Sequence, residues 1–243
     1  MTLRGMVFLL TLLGTCCSTW MGTALADNPD VQHPEDIVLQ QPATDDIRLI
    51  PALYYPYPPE SGAISVFSAM TEGPDGSIYV GSCCYQDWAK VFRLPPGSDR
   101  LEVVLNTGLL AGQRHYSTER QSKIHTQLTV GRNGWIYGGT KRGNEYFHER
   151  ALYATGPQHY PGGVFFRFNP ESGLHQNLGI PRPGEGLLAQ AYDPQRHRFW
   201  LLTHPRTELL RIDLTENGMT TRNFGQASRY PHRRALDVHM IPL

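Results

Sequence analysis

The sequence predicts an all-β fold, and three observations carry that prediction. Runs of about five to seven residues, rich in Val, Ile, Phe, Tyr and Leu, recur between clusters of Gly, Pro and Asn, as strands recur between turns. The phrase TEGPDGSIYVGS (71–82) returns as TVGRNGWIYGGT (129–140), a turn followed by a β-rich run that ends on small residues. Glycine (24) and proline (19) are plentiful among the 243 residues, so the chain turns often.

The runs fall into sets of four. The first is ISVFSAM (64–70), SIYVGS (77–82), AKVFRL (89–94) and LEVVLN (101–106). The second is IHTQLTV (124–130), WIYGGT (135–140), GVFFRFN (163–169) and LHQNLG (174–179). The third is GLLAQAY (186–192), FWLLTH (199–204), ELLRIDL (208–214) and MTTRNFG (219–225). RRALDVHM (233–240) reads as the opening strand of a fourth set. Tyr79, Tyr137 and Trp200 hold equivalent places after the first turn of each set. Arg93, Arg167 and Arg211 match in the third strand, with Asn169 and Asp213 two residues beyond the last two. Four antiparallel strands repeated at this scale are the blades of a β-propeller. The expected blades are 64–107, 123–181 and 184–226, with a fourth starting at 233. A β-sandwich with coincidental turn spacing is the alternative.

GPDGSIYVG followed by VFRL resembles the repeats of bacterial exported propellers, namely the streptogramin-lyase-like, gluconolactonase-like and quinoprotein-like families. FFRFNPESG and LLRIDLTENG are similar to the third-strand ending of those repeats. The resemblance covers about residues 64–240. It implies the fold and not an activity, because the repeat serves many functions.

Three blades and one strand make an incomplete or open propeller, since closed rings take about four to eight blades. An open array leaves an unpaired edge and an unfilled face. Three arrangements would resolve this: a chain cut from a longer propeller, self-association through the open blade edge, or an N-terminal arm that patches it. The arm is residues 27–63. Its YYPYPPE (54–60) is too rich in proline for a helix or a central strand. DIRLI (46–50) within it has the composition of one added strand.

Residues 1–26 read as a signal peptide. Arg4 is its positive start, MVFLLTLLG (6–14) its apolar core, and ALA (24–26) before Asp27 its cleavage site. Export to the periplasm or outside the cell is expected. Lipidation at Cys16 or Cys17 is the weaker reading, because Thr15 stands where a smaller residue is usual. No other apolar run approaches the roughly 18 residues of a membrane span. The formal net charge is zero, which gives no support to a nucleic-acid partner.

In a blade the strands run up and down, so alternate connections lie at opposite ends. One class here is uniformly short. The other is long and chemically mixed: 83–88, 107–123, 141–162 and 180–185, with only 205–207 brief. Long connections carry function more often than tight turns do. That end is the expected binding face, with His115, Lys123, Lys141, Arg142, His148 and Arg206 as its ligand-binding residues. His125, Glu185 and His204 lie at strand ends on the same rim. A His/Glu set of this kind suits a divalent metal or a general acid–base pair, and these three are the catalytic candidates if the protein is an enzyme.

Cys83 and Cys84 are adjacent, and adjacent cysteines can close a strained vicinal disulfide. Two separate packed thiols are the plainer reading. The chain carries no Gly-x-Ser-x-Gly elbow, phosphate loop or Cys-x-x-Cys-His haem site. The expected function is an exported module that binds a small molecule or a protein at its loop-rich face. A metal-dependent lyase or lactonase, resembling the streptogramin-lyase and gluconolactonase propellers, is the alternative.

Overall fold

The structure is a computed structural model that describes residues 53–84, 87–113, 120–142 and 160–227. The expected signal peptide, most of the 27–63 arm and the strand expected at 233 lie outside the described residues. The chain divides into two units, Met1–Tyr55 and Pro56–Leu243. The sheets belong to the second.

The described residues form three antiparallel sheets of propeller-blade type. The first blade is β1 (Met70–Glu72), β2 (Ile78–Gly81), β3 (Lys90–Leu94) and β4 (Glu102–Asn106), hydrogen-bonded in that order. The second is β5 (Lys123–Ile124) and β6 (Thr129–Val130), both paired with β7 (Ile136–Lys141), then β8 (Phe165–Phe168) and β9 (His175–Gly179). The third is β10 (Gly186–Asp193), β11 (Arg198–His204), β12 (Glu208–Leu214) and β13 (Met219–Gln226).

The predicted innermost strands need correction. In the first blade the strand expected at 64–70 is reduced to β1 and a single bridge between Ser65 and Cys83. In the second blade the strand expected at 124–130 is split in two. Thr126, at the break, accepts the Gly139 N–H on its hydroxyl at 2.7 Å. A side chain thus takes over from the ladder, a substitution that threonine makes readily. The segment after β4 forms a short helix, α1 (Thr107–Leu110), where only a connector was expected. The Asn106 side chain accepts from the Gly108 and Leu109 N–H groups and caps it.

The repeated phrase has a structural explanation. Gly76 (φ 73°) and Gly134 (φ 77°) supply the left-handed turn residue of the first two blades. Asp75 then accepts from Ser77 Oγ at 2.8 Å, Tyr79 Oη at 3.0 Å and Arg93 Nη2 at 2.9 Å. Burial pushes the Asp75 carboxyl up, but these donors outweigh it and hold the group below its ordinary range. Burial and the Asp75 charge push the Tyr79 hydroxyl up to about 12. In the second blade Asn133 takes the same place and donates to Tyr137 Oη at 3.1 Å. One turn residue thereby ties down the aromatic of the second strand.

The registers confirm the equivalences. Tyr79 pairs with Arg93, Tyr137 with Arg167, and Trp200 with Arg211. Each aromatic points out of its blade in the direction of the chain, on what is called here the trailing face. Tyr79 and Phe168, between the first and second blades, have ring centroids 5.3 Å apart. Tyr137 and Phe199, between the second and third, are 4.9 Å apart. Two apolar clusters fill these gaps, one around Tyr79, Ile136, Phe166 and Phe168, the other around Tyr137, Phe165, Leu201 and Leu210. The leading face of the first blade is covered by the proline-rich segment, whose Tyr57 ring lies 4.8 Å from that of Phe92.

Candidate functional site

Antiparallel pairing within each blade puts the described ends of the connectors 82–89, 107–122, 142–164, 180–185 and 205–207 at one end. The tight turns at 73–77, 95–101, 131–135, 169–174, 194–197 and 215–218 go to the other. Contacts between blades bring the like ends together. At the connector end, Cys84 N–H donates to Ser122 O at 2.7 Å, Ala89 N–H to Gln121 O at 2.9 Å, and Gly163 N–H to Glu185 O at 2.8 Å. At the turn end, Arg132 N–H donates to Tyr192 Oη at 3.1 Å and Arg167 Nη2 to Glu216 O at 2.9 Å.

Gln121 is the pin of the connector rim. It is 1% exposed. Its amide donates to Gly162 O at 2.8 Å and accepts from Thr140 Oγ1 at 2.6 Å and Tyr160 Oη at 3.0 Å. Its backbone N–H donates to Gln113 Oε1 at 3.0 Å. One side chain therefore joins the connector that leaves the first blade to two segments of the second. A buried network with its partners in place is rigid, so the rim rests on a fixed base.

Lys123 and Lys141 face each other across β5 and β7. Lys123 Nζ sits 3.4 Å from the centroid of the Phe67 ring, a cation–π contact. Phe67, 49% exposed, stacks on His125 with centroids 5.4 Å apart and planes 16° apart. His125 Nδ1 lies 2.9 Å from Leu188 O. Burial, then the Lys123 and Lys141 charges, push its imidazole down to about 3, so the ring is neutral at physiological pH and Nδ1–H is the donor.

A pH prediction follows from His125. The unfolded chain takes up a proton near the ordinary value of 6.5, whereas the folded chain refuses it until about 3. The stability held above 6.5 is therefore lost as pH falls from 6.5 towards 3. Denaturant titrations across that interval should give a shallower pH dependence for His125→Gln than for the parent. Equal slopes would contradict a buried, neutral ring.

Glu185, His204 and Arg206 meet at a second corner. Glu185 is 2% exposed, and its Oε2 accepts from Thr203 Oγ1 at 3.1 Å and Arg206 N–H at 2.9 Å. Arg206 Nε lies 3.6 Å from its Oε1. Burial raises the carboxyl above its ordinary range despite these donors. His204 ends β11 opposite Gly186, just before the cis Pro205. Beside this corner Arg182 grips Glu208 through two bonds, at 2.6 and 3.1 Å, and Asn223 donates to the same carboxylate.

The structure thus sorts the sequence candidates into separate groups. Lys123, His125 and Lys141 lie together, with Arg142 next in the chain, while Glu185, His204 and Arg206 form the other corner. Among the described residues no three His, Cys, Asp or Glu side chains are grouped so as to hold a metal ion. His115 and His148 lie outside the described residues. Cys83 and Cys84 are buried thiols not bonded to each other. Cys83 bridges Ser65 on one side and Lys123 on the other. Successive side chains of such an extended segment leave on opposite faces, which separates the two sulfurs. Phe67 and Gln121 were not singled out in the sequence, where nothing marks them from neighbouring strand and loop residues. At the turn end a cavity of about 640 Å³ opens among Gln127, Thr129, Arg132, Gln190, Tyr192 and Pro194.

No protein-family model matches the chain, and no curated protein matches it. Among solved structures it is similar to an auxiliary nutrient binding protein from Bacteroides thetaiotaomicron, at 14% identity over 73% of this chain and 35% of that one, TM-score 0.46. It is similar also to the periplasmic gluconolactonase of Pseudomonas aeruginosa, at 15% identity over 66% and 42%, TM-score 0.43. A third is YCF48 bound to D1 peptide, at 17% identity over 65% and 40%, TM-score 0.39. The chain spans less than half the length of each of these structures. At these identities the likeness is one of fold alone.

Proposed function

We propose that the chain is a binding module that engages a ligand or protein through its connector rim. One observation carries the reading: every long connector ends on the same side, and Gln121 ties the connector that leaves the first blade to the one in the second. A rigid base under variable loops is the usual design of a binding face. Two of the candidate catalytic groups, His125 and Glu185, have partners within the fold, which favours the binding reading. His125 holds Leu188 O, and Glu185 holds Thr203 and Arg206. The leader read at 1–26 would place this module outside the cytoplasm, and no helix among the described residues is long and apolar enough to cross a membrane.

The test is site-specific photocrosslinking in the cells that make the protein. A crosslinker at Arg142 or Arg206 is expected to capture a discrete partner, whereas one at Ser98 or Glu171, at the turn end, is not. Capture confined to the turn end would reverse the reading. So would a stoichiometric divalent metal together with lactone hydrolysis that His125→Ala abolishes.

A further inference from the structure

The sequence holds two Asn-Gly pairs, Asn133–Gly134 and Asn217–Gly218, and both lie in tight turns at the turn end of the blades. Asn-Gly is where a main chain most readily attacks its own side chain, because glycine has no Cβ to bar the approach of its nitrogen. The two pairs are held very differently. The Asn133 amide donates to Tyr137 Oη at 3.1 Å and accepts from the Trp135 N–H at 3.3 Å. The attacking nitrogen is engaged as well, since the Gly134 N–H donates to Gly131 O at 2.9 Å. Asn217 is exposed. Among the described residues its side chain has no hydrogen-bond partner, and the Gly218 N–H has no acceptor. Space is open there too: outside its chain neighbours, the nearest atom to a Cβ built on Gly218 is Thr215 Oγ1, at 3.9 Å. A following sheet would not cover this turn. Its counterparts in the first two blades, at 95–101 and 169–174, keep Asp99 and Glu171 exposed although a sheet follows each.

We propose that Asn217 is a deamidation site whose conversion loosens the joint between the second and third blades. The Gly218 nitrogen attacks Asn217 Cγ. The N–Cγ bond forms, the Cγ–Nδ2 bond breaks, and ammonia leaves with the former amide proton of Gly218. Water then opens the cyclic imide, its hydroxyl adding to one carbonyl and its other proton returning to the Gly218 nitrogen. Opening at the main-chain carbonyl leaves isoaspartate, whose main chain runs through Cγ and is a carbon longer. This turn carries a latch from the second blade: Arg167 Nη2 donates to Glu216 O at 2.9 Å, and Gln176 Nε2 to Asn217 O at 3.2 Å. Lengthening the turn shifts both oxygens away from their donors. Arg167 is buried, so a lost acceptor there is costly.

The experiment is peptide mapping by mass spectrometry of the purified full chain after incubation in mildly alkaline buffer, folded and in urea. In the folded chain Asn217 is expected to convert about tenfold faster than Asn133, because bonds at both reacting groups of the Asn133 pair must open first. In urea the two should convert at similar rates, since the fold and not the flanking sequence sets the difference. The aged chain should carry isoaspartate at 217 and melt about 2–4 °C lower than the fresh chain, the shift that one lost hydrogen bond gives at this size. Asn217→Gln, whose longer side chain closes its ring far more slowly, should age without that loss. Equal rates at the two sites in the folded chain overturn the proposal, as does a folded rate at Asn217 far below its rate in urea. An isoaspartate-bearing chain that keeps the melting curve of the fresh protein overturns the role of the turn as a latch.

Discussion

Replacing Tyr137 by alanine is expected to lower the free energy of unfolding by about 3–5 kcal/mol, the usual cost of deleting a buried aromatic ring. The ring is fully buried between the second and third blades. It touches Phe165, His197 and Phe199, with centroids 6.1, 6.5 and 4.9 Å away. These neighbours belong to two different sheets, so neither sheet alone can collapse into the space left behind. The hydroxyl adds to the cost, because Asn133 donates to it at 3.1 Å. Urea titration should show a lower midpoint. Tyr137→Phe should lose only about 1 kcal/mol, the worth of one hydrogen bond. A Tyr137→Ala loss no larger than that of Tyr137→Phe would mean that the inter-blade ring contact contributes little.

Gln121→Leu is the second large effect, expected at about 3 kcal/mol, since several buried polar groups lose a partner at once. The leucine side chain fits the volume but neither donates nor accepts. Gly162 O, Thr140 Oγ1 and Tyr160 Oη each lose the bond they make to the amide. The change should be local as well as global. The rim amides of Gly163 and Val164 should exchange hydrogen faster than the amides of β11. A variant with parental stability and unchanged rim exchange would show that the connectors are held by other contacts, and the rigid base under the proposed binding face would go with it.

Much of this architecture is legible in the chain itself. Asp75 and Asn133, each followed by Gly and then by an aromatic of the second strand, announce the same turn, and the structure closes both on that aromatic's hydroxyl. The interruption between β5 and β6 is not legible, because it depends on Thr126 meeting Gly139 across the sheet. Nor is the separation of His125 from Glu185. Both stand near strand starts in the sequence, yet one is drawn toward Leu188 and the other into the bend around the cis Pro205. Tyr57 reads as one more residue of a proline-rich arm until its ring is seen on Phe92.

Strand periodicity, turn residues and their recurrence are local properties of the chain, and by themselves they determined the type of sheet, its four-strand unit and the end at which the long connectors gather. Which side chains share a corner, which aromatic faces are covered, and whether adjacent cysteines meet depend on contacts between residues far apart in sequence. Those choices are made by how one sheet packs against the next, so only the tertiary structure decided them.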